Sequence, residues 1–338
     1  MTTLPEIQQI EKKIEALGST GRAEVLAYSE HEDLRFPIYK VSFGSQDPQA
    51  PVLGFVGGVH GLERIGAQVC VALMNSLAEL AQWDVTLQQT LQNIRIFFIP
   101  TVNPVGIQRK TRCNPNGVDL MRNAPVEADN PQFLLGGHRF SNKLPWYRGE
   151  LGAPMQLEAQ ALVDTVQKEI AQSPLAITLD LHSGFGLQDR LWFPYAKTVK
   201  PYPDLHLCYA LKELLDRTYP HHFYRVEPQA QNYTTHGDLW DYLYDNHSGR
   251  TQGQIYVPLC LEMGSWLWVK KNPWQIFSAE GPFNPLKGHR HKRTLRRHNT
   301  LMEFLIRALS SPQAWVGNEP HKVQQLEQKA KELWYGER

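Results

Sequence analysis

The sequence predicts an α/β fold, one domain in which a mixed, mostly parallel central sheet is flanked by helices. Three observations lead to it. Four nearly continuous apolar runs, residues 51–56, 94–100, 175–181 and 255–261, have the length and density of strands buried on both faces, as parallel pairing requires. Segments of helical period (67–80, 155–170 and 204–219) separate them, the alternation from which βαβ units are built. The first run passes through a glycine-rich turn straight into a helical segment, the kind of junction at which open α/β sheets bind ligands.

Taken in order, residues 6–17 carry Ile7, Ile10, Ile14 and Leu17 at helical spacing among charges, so an amphipathic helix opens the fold. Residues 22–28 and 36–43 alternate apolar and polar side chains and predict a hairpin at one sheet edge. The turn after the first buried strand runs from Gly57 to Gly66 and holds His60 and Glu63. An imidazole and a carboxylate three residues apart can reach one divalent cation, and a His₂Glu zinc site needs one more histidine and an open position for water. Of the thirteen histidines, His60 alone has glutamate at the third position after it. The plainer alternative is a helix-start glutamate beside an ordinary loop histidine.

After the strand at 94–100, residues 101–106 read as a turn from their Asn-Pro and Gly content. The loop at 111–123 carries Arg112 and Arg122, each able to present a fork of donors to a carboxylate or an oxyanion. Residues 124–152, rich in Pro, Gly and Asn, form a long loop of the kind that is usually functional or mobile. The strand at 175–181 runs into His182, which thereby takes the same topological place as His60, and Asp180 shares its face as a second-layer partner. A short strand at 223–226 and a polar stretch at 229–237 lead to an aromatic segment at 238–244. The strand at 255–261 delivers Glu262, a carboxylate whose position at the end of an apolar strand calls for a partner: a reacting water or a loop arginine. A basic run at 287–298 reads as the solvated start of a helix carrying Leu295, Leu301, Phe304 and Leu305, and residues 321–335 form a last, mostly polar helix.

Lysine and arginine number 35 against 34 aspartates and glutamates, a balance that gives no push toward nucleic acid or an anionic membrane. Cys70, Cys113, Cys208 and Cys260 show no paired spacing and read as reduced thiols. The first residues lack a basic stretch followed by an apolar one, and no run approaches ~18 apolar residues. A soluble, cytoplasmic protein with a small-molecule partner is the expectation.

Taken together, His60-Gly-Leu-Glu63, Asn103-Pro104-Val-Gly106, Arg112, the run from Asn116 to Asn123, Leu179-Asp180-Leu181-His182-Ser183 and Leu261-Glu262 resemble the zinc carboxypeptidase family, the carboxypeptidase A-like metallopeptidases. The resemblance spans roughly residues 50–270 in the family's order, leaving C-terminal helices at 294–335 beyond it. It implies one Zn²⁺ per chain held by His60, Glu63 and His182, with Glu262 as general base on the activated water. It further implies Arg112 as the arginine that polarises the scissile carbonyl, Arg122 as the arginine that grips a substrate's terminal carboxylate, and Tyr233 near the family's mobile tyrosine.

Where the family usually has asparagine before the second arginine, this chain has Met121, which cannot give a carboxylate the same hydrogen bonds, so Asn123 or another donor is needed to compensate. Leu239 falls near the specificity position and implies an apolar preference, with Asp238 and Asp241 close enough for a basic one. The expected substrate is a small peptide. N-acyl amino acids are the alternative, since deacylases of the aspartoacylase and succinylglutamate desuccinylase group share the His-Gly-x-Glu turn and an aspartate-leucine-x-arginine loop. A binding protein that kept the pocket and lost catalysis is the reading from another class. A second metal would recruit Asp180 or His236.

Overall fold

The computed structural model describes residues 3–247, 253–317 and 319–336. Helix α1 (Pro5–Ala16) precedes the hairpin β1 (Gly21–His31) and β2 (Leu34–Gly44), and then come β3 (Val52–Gly57), α2 (Arg64–Trp83), α3 (Val85–Leu91), β4 (Arg95–Ile99) and α4 (Pro104–Arg109). After the long loop follow α5 (Leu157–Ile170), β5 (Leu175–Ser183), β6 (Arg190–Phe193), α6 (Leu205–Thr218), β7 (Arg225–Pro228) and α7 (Leu239–Asp245). The last elements are β8 (Ile255–Met263), α8 (Trp266–Lys271), α9 (Gly288–Arg297), α10 (Asn299–Ser310) and α11 (Pro320–Tyr335).

The eight strands form one sheet in the order β1-β2-β4-β3-β5-β8-β6-β7. The four apolar runs are its centre: β4, β3, β5 and β8 lie side by side and parallel. Every residue of β3, β4 and β5 is buried, so both faces are covered, which is why these strands lack the alternation of a half-exposed one. The predicted hairpin closes one side, with β2 antiparallel to β4, and β6 runs antiparallel to β8 on the other. The chain is thus a single mixed α/β domain with one continuous apolar cluster, from Leu4 near one end to Ala330 near the other.

Departures from the sequence reading have local causes. Strands β5 and β8 continue two residues past the apolar runs because they stay paired, so His182 and Glu262 belong to strands rather than to the loops beyond them. Residues read as a turn after β4 wind into α4, where Asn103 accepts the Gly106 N–H at 2.9 Å and Pro104 supplies the first helical position. Strand β6 escaped detection because four residues carry too little pattern, and β7 lies two residues later than expected. The one helix expected from the basic run through Leu305 is two, α9 and α10, parted at His298.

Residues 124–152 form a wall of turns without regular secondary structure, held from within by Arg148. Its buried guanidinium donates to the Val126 and Arg122 carbonyls and to Glu127. Among the described residues no helix is long and apolar enough to cross a membrane.

Candidate metal centre and cleft

Because β4, β3, β5 and β8 are parallel, their carboxyl ends open onto one edge of the sheet, and the candidate residues gather there. The turn after β3 is pressed tightly against its neighbours. A Cβ on Gly61 would lie 2.1 Å from the carbonyl carbon of Gly106, and one on Gly66 would lie 2.1 Å from the Leu181 carbonyl oxygen. Gly61 lets the turn seat on α4, and Gly66 lets the start of α2 touch the end of β5, which brings Glu63 against His182.

His60, Glu63 and His182 are all buried and offer ligand atoms that lie within 4.8 Å of one another. Nδ1 of His60 is 2.8 Å from Glu63 Oε1, and Nδ1 of His182 is 3.0 Å from Glu63 Oε2, which also accepts the Ser183 N–H. The far nitrogens are held by carboxylates: His60 Nε2 is 2.9 Å from Asp119 Oδ1, and His182 Nε2 is 2.7 Å from Asp180 Oδ2. Asp180 Oδ2 also accepts the indole N–H of Trp240 at 2.9 Å. With Nε2–H engaged by a carboxylate, each ring can present an unprotonated Nδ1 to a cation on the Glu63 side. Two imidazole nitrogens and a carboxylate converging on one spot, His60 and Glu63 from the turn after β3 and His182 from the end of β5, are a donor set that fits Zn²⁺.

The charges are consistent with a site built around a cation. Burial opposes ionisation of Glu63, yet the two adjoining imidazoles outweigh it and hold the carboxyl well below its usual range. Burial likewise disfavours the charge on Arg112, but Asp119 and Glu63 beside it make its proton harder to remove than usual. Arg112 donates to Asp119 Oδ2 at 2.9 Å and to Glu63 Oε1 at 3.1 Å. Arg122, also buried, donates to Asp119 Oδ2 at 2.9 Å and to the Leu135 carbonyl. Asp119 therefore ties together His60 and both arginines, a role that its place in a loop sequence did not signal.

Glu262 stands opposite His182 in the β5–β8 register and faces the same cleft. Burial, reinforced by the Glu63 charge, pushes its carboxyl up to about 8, against the pull of His182, the Phe185 N–H and Arg112. The cleft has a volume of about 380 Å³. His60, Glu63, Arg112, Arg122, His182, Tyr233 and Glu262 all line it. Tyr233 packs against Phe185 and Trp192, and burial raises its hydroxyl to about 12.

Two expected residues are elsewhere. The Asn123 side chain is spent on the loop, donating to the Arg148 carbonyl and accepting the Gln156 N–H, so it does not stand in for the missing asparagine. Leu239 is fully buried as the first residue of α7 and does not line the cleft. Asp238, the residue before it, does. His236, which accepts the Ala128 N–H, is not part of the three-residue group, and Asp180 serves as the partner of His182.

Fold and site define an α/β protein with a His-Glu-His centre at the carboxyl edge of its sheet. Residues 29–265 match the zinc carboxypeptidase family, and the chain belongs to that family. It is 28% identical over 93 residues to carboxypeptidase SOL1 of Arabidopsis thaliana, a match covering 27% of this chain and 19% of that protein. It is 30% identical over 114 residues to the human carboxypeptidase N catalytic chain, covering 30% and 22% respectively. The matched regions thus span about a fifth of these relatives. Among solved structures, thrombin activatable fibrinolysis inhibitor superposes with a TM-score of 0.65 at 17% identity over 89% of this chain and 72% of that one, a likeness of fold.

Proposed function

We propose that this chain is a zinc-dependent hydrolase of peptide-type amide bonds, acting as a metallocarboxypeptidase. The observation that carries the proposal is the convergence of His60, Glu63 and His182 within 4.8 Å, with Glu262 beside them across the β5–β8 pair. His60, Glu63 and His182 would hold the ion. Its contribution when bound is Lewis acidity, which acidifies water and polarises a carbonyl.

The chain's own residues do the rest. Glu262 takes the proton of the attacking water and passes it to the leaving amine, and its burial supplies the affinity for a proton that this shuttle needs. The Arg112 guanidinium provides fixed positive charge for the developing oxyanion, a contribution of about 3 kcal/mol for a donor of this type. Arg122, locked by Asp119 and the Leu135 carbonyl, presents its remaining donors to a substrate carboxylate. Tyr233 closes the apolar side of the cleft with Phe185 and Trp192. Met121 also lines the cleft and contributes a thioether in place of amide donors, so the carboxylate depends on Arg122 more heavily than it would beside an asparagine.

Elemental analysis of the purified protein is the direct test, with an expected content of about one zinc per chain and its loss in His182→Ala. Glu262→Gln keeps the zinc and lowers hydrolysis of blocked dipeptides by roughly 10²–10⁴-fold. A zinc-free parent protein, or release only of the acyl group from acetyl- and succinyl-amino acids with dipeptides untouched, overturns the proposal.

A further inference from the structure

The near-neutral balance of the whole chain conceals a local segregation of charge. Between Glu262 and Glu303 the sequence holds eight lysines and arginines and one acidic residue, Glu280, in a protein of net charge +1. Glu280 is itself paired with Lys110. On α9 the exposed positions His289, Lys292, Arg293 and Arg296 fall at the spacing of a single helix face. Arg290 of the same helix donates to the Trp268 and Lys271 carbonyls at 3.3 Å, which sets α9 against the end of α8 and its exposed Lys270 and Lys271.

Beside this basic face the chain exposes large apolar side chains on a braced excursion. Trp274 is 80% and Phe277 82% exposed, with Ile276 and Leu286 about half exposed. The excursion is internally fixed. Gln275, buried between them, donates to the Gly281 and Asn284 carbonyls, while Asn284 accepts the Ile65 N–H and donates to the Leu62 carbonyl. With Gln275 turned inward, Trp274 and Ile276 on either side of it face solvent together with Phe277. A rigid turn that holds two aromatic rings in water costs free energy that a partner would recover.

We propose that this face is a peripheral docking surface for an anionic lipid bilayer, with Trp274, Ile276 and Phe277 entering the interface and Lys270, Lys271, Lys292, Arg293 and Arg296 meeting the headgroups. Charge complementarity selects the occupant. Cations flanking an aromatic tip suit an interface whose outer layer is anionic and whose next layer is apolar, and single apolar anchors need such basic support to bind. A nucleic acid would use the cations but offers nothing apolar for Ile276, which is about half exposed between the two rings. None of these residues belongs to the cleft, so docking and hydrolysis can be tested separately.

The test is co-sedimentation of the full chain with vesicles of phosphatidylcholine alone and with roughly one third phosphatidylglycerol, at low and physiological salt. Binding to the anionic vesicles alone, weakened by salt, is the expected result. Trp274→Ala/Phe277→Ala and Lys292→Glu/Arg293→Glu should each weaken it by about tenfold or more. All four side chains are exposed, so unchanged melting curves certify the variants' fold. No binding to anionic vesicles overturns the proposal. So does vesicle or duplex DNA binding that depends on Lys292 and Arg293 but is indifferent to Trp274 and Phe277, which would mark a generic polyanion site.

Discussion

Asp238 shows how much a single side chain can be asked to do. It caps α7, accepting the Trp240 and Asp241 N–H groups at 2.9 Å each, and it lines the cleft. Burial pushes its carboxyl up to about 6, with Asp180 adding to the effect while the two N–H bonds and Arg122 pull the other way. Since the native state then holds a proton that the unfolded chain has released, this residue supports folding at low pH, and its support fades as pH rises from about 4 to about 6. Denaturant titrations at pH 5 and 7 should show that Asp238→Asn, which keeps the cap, flattens this fall by about 1.4 kcal/mol, the part of the linkage that lies above pH 5. An unchanged pH slope would show that Asp238 stays ionised throughout. The same residue marks where the sequence was hard to read at this scale. His60, Glu63, His182, Glu262 and both arginines could be picked out by type and position, because each sits where a strand or loop meets the sheet's carboxyl edge. Asp119 and Asp238 could not be assigned their roles, because these depend on contacts across 59 positions in one case and on a one-residue helix phase in the other.

At the scale of elements, the contact between α2 and β5 governs the centre. Gly66 is in the first turn of α2, and a methyl group there would meet the Leu181 oxygen at 2.1 Å, so Gly66→Ala must push the helix off the strand that carries His182. The expected outcome is a stability loss above about 2 kcal/mol by thermal denaturation, accompanied by weaker zinc retention. Gly288→Ala is the matched control. Its Cβ would touch nothing within 4 Å, at the first position of α9, and it should leave stability equal or raise it by roughly 0.4–1 kcal/mol. The long elements of this kind were legible from period and composition. The short ones, β6, α3 and α4, were missed or misread because four to seven residues cannot hold two turns of helix or a clear alternation.

Across the whole molecule, α11 closes the fold over the far side of the sheet. Trp334 packs its ring 4.8 Å from that of Phe193 in β6, donates its indole N–H to the Val226 carbonyl in β7, and accepts the Gln231 side chain at its own carbonyl. Trp334→Ala should cost about 2–3 kcal/mol, less than a fully buried tryptophan because its ring is partly exposed, and should leave zinc content unchanged. Loss of zinc in that variant would show that the flank and the centre are one cooperative unit. The order of the four central strands was not available from their sequences, since equally apolar segments do not say which neighbour each will take.

The pairing of β5 with β8 sets His182 level with Glu262 and Asp180 level with Cys260. Side chains alternate faces along a strand, so inserting or deleting one residue within 255–262 would turn Glu262 to the opposite face while leaving its identity intact. The number of residues in these two strands ahead of His182 and Glu262 is therefore fixed by their pairing, whatever apolar side chains fill the positions between.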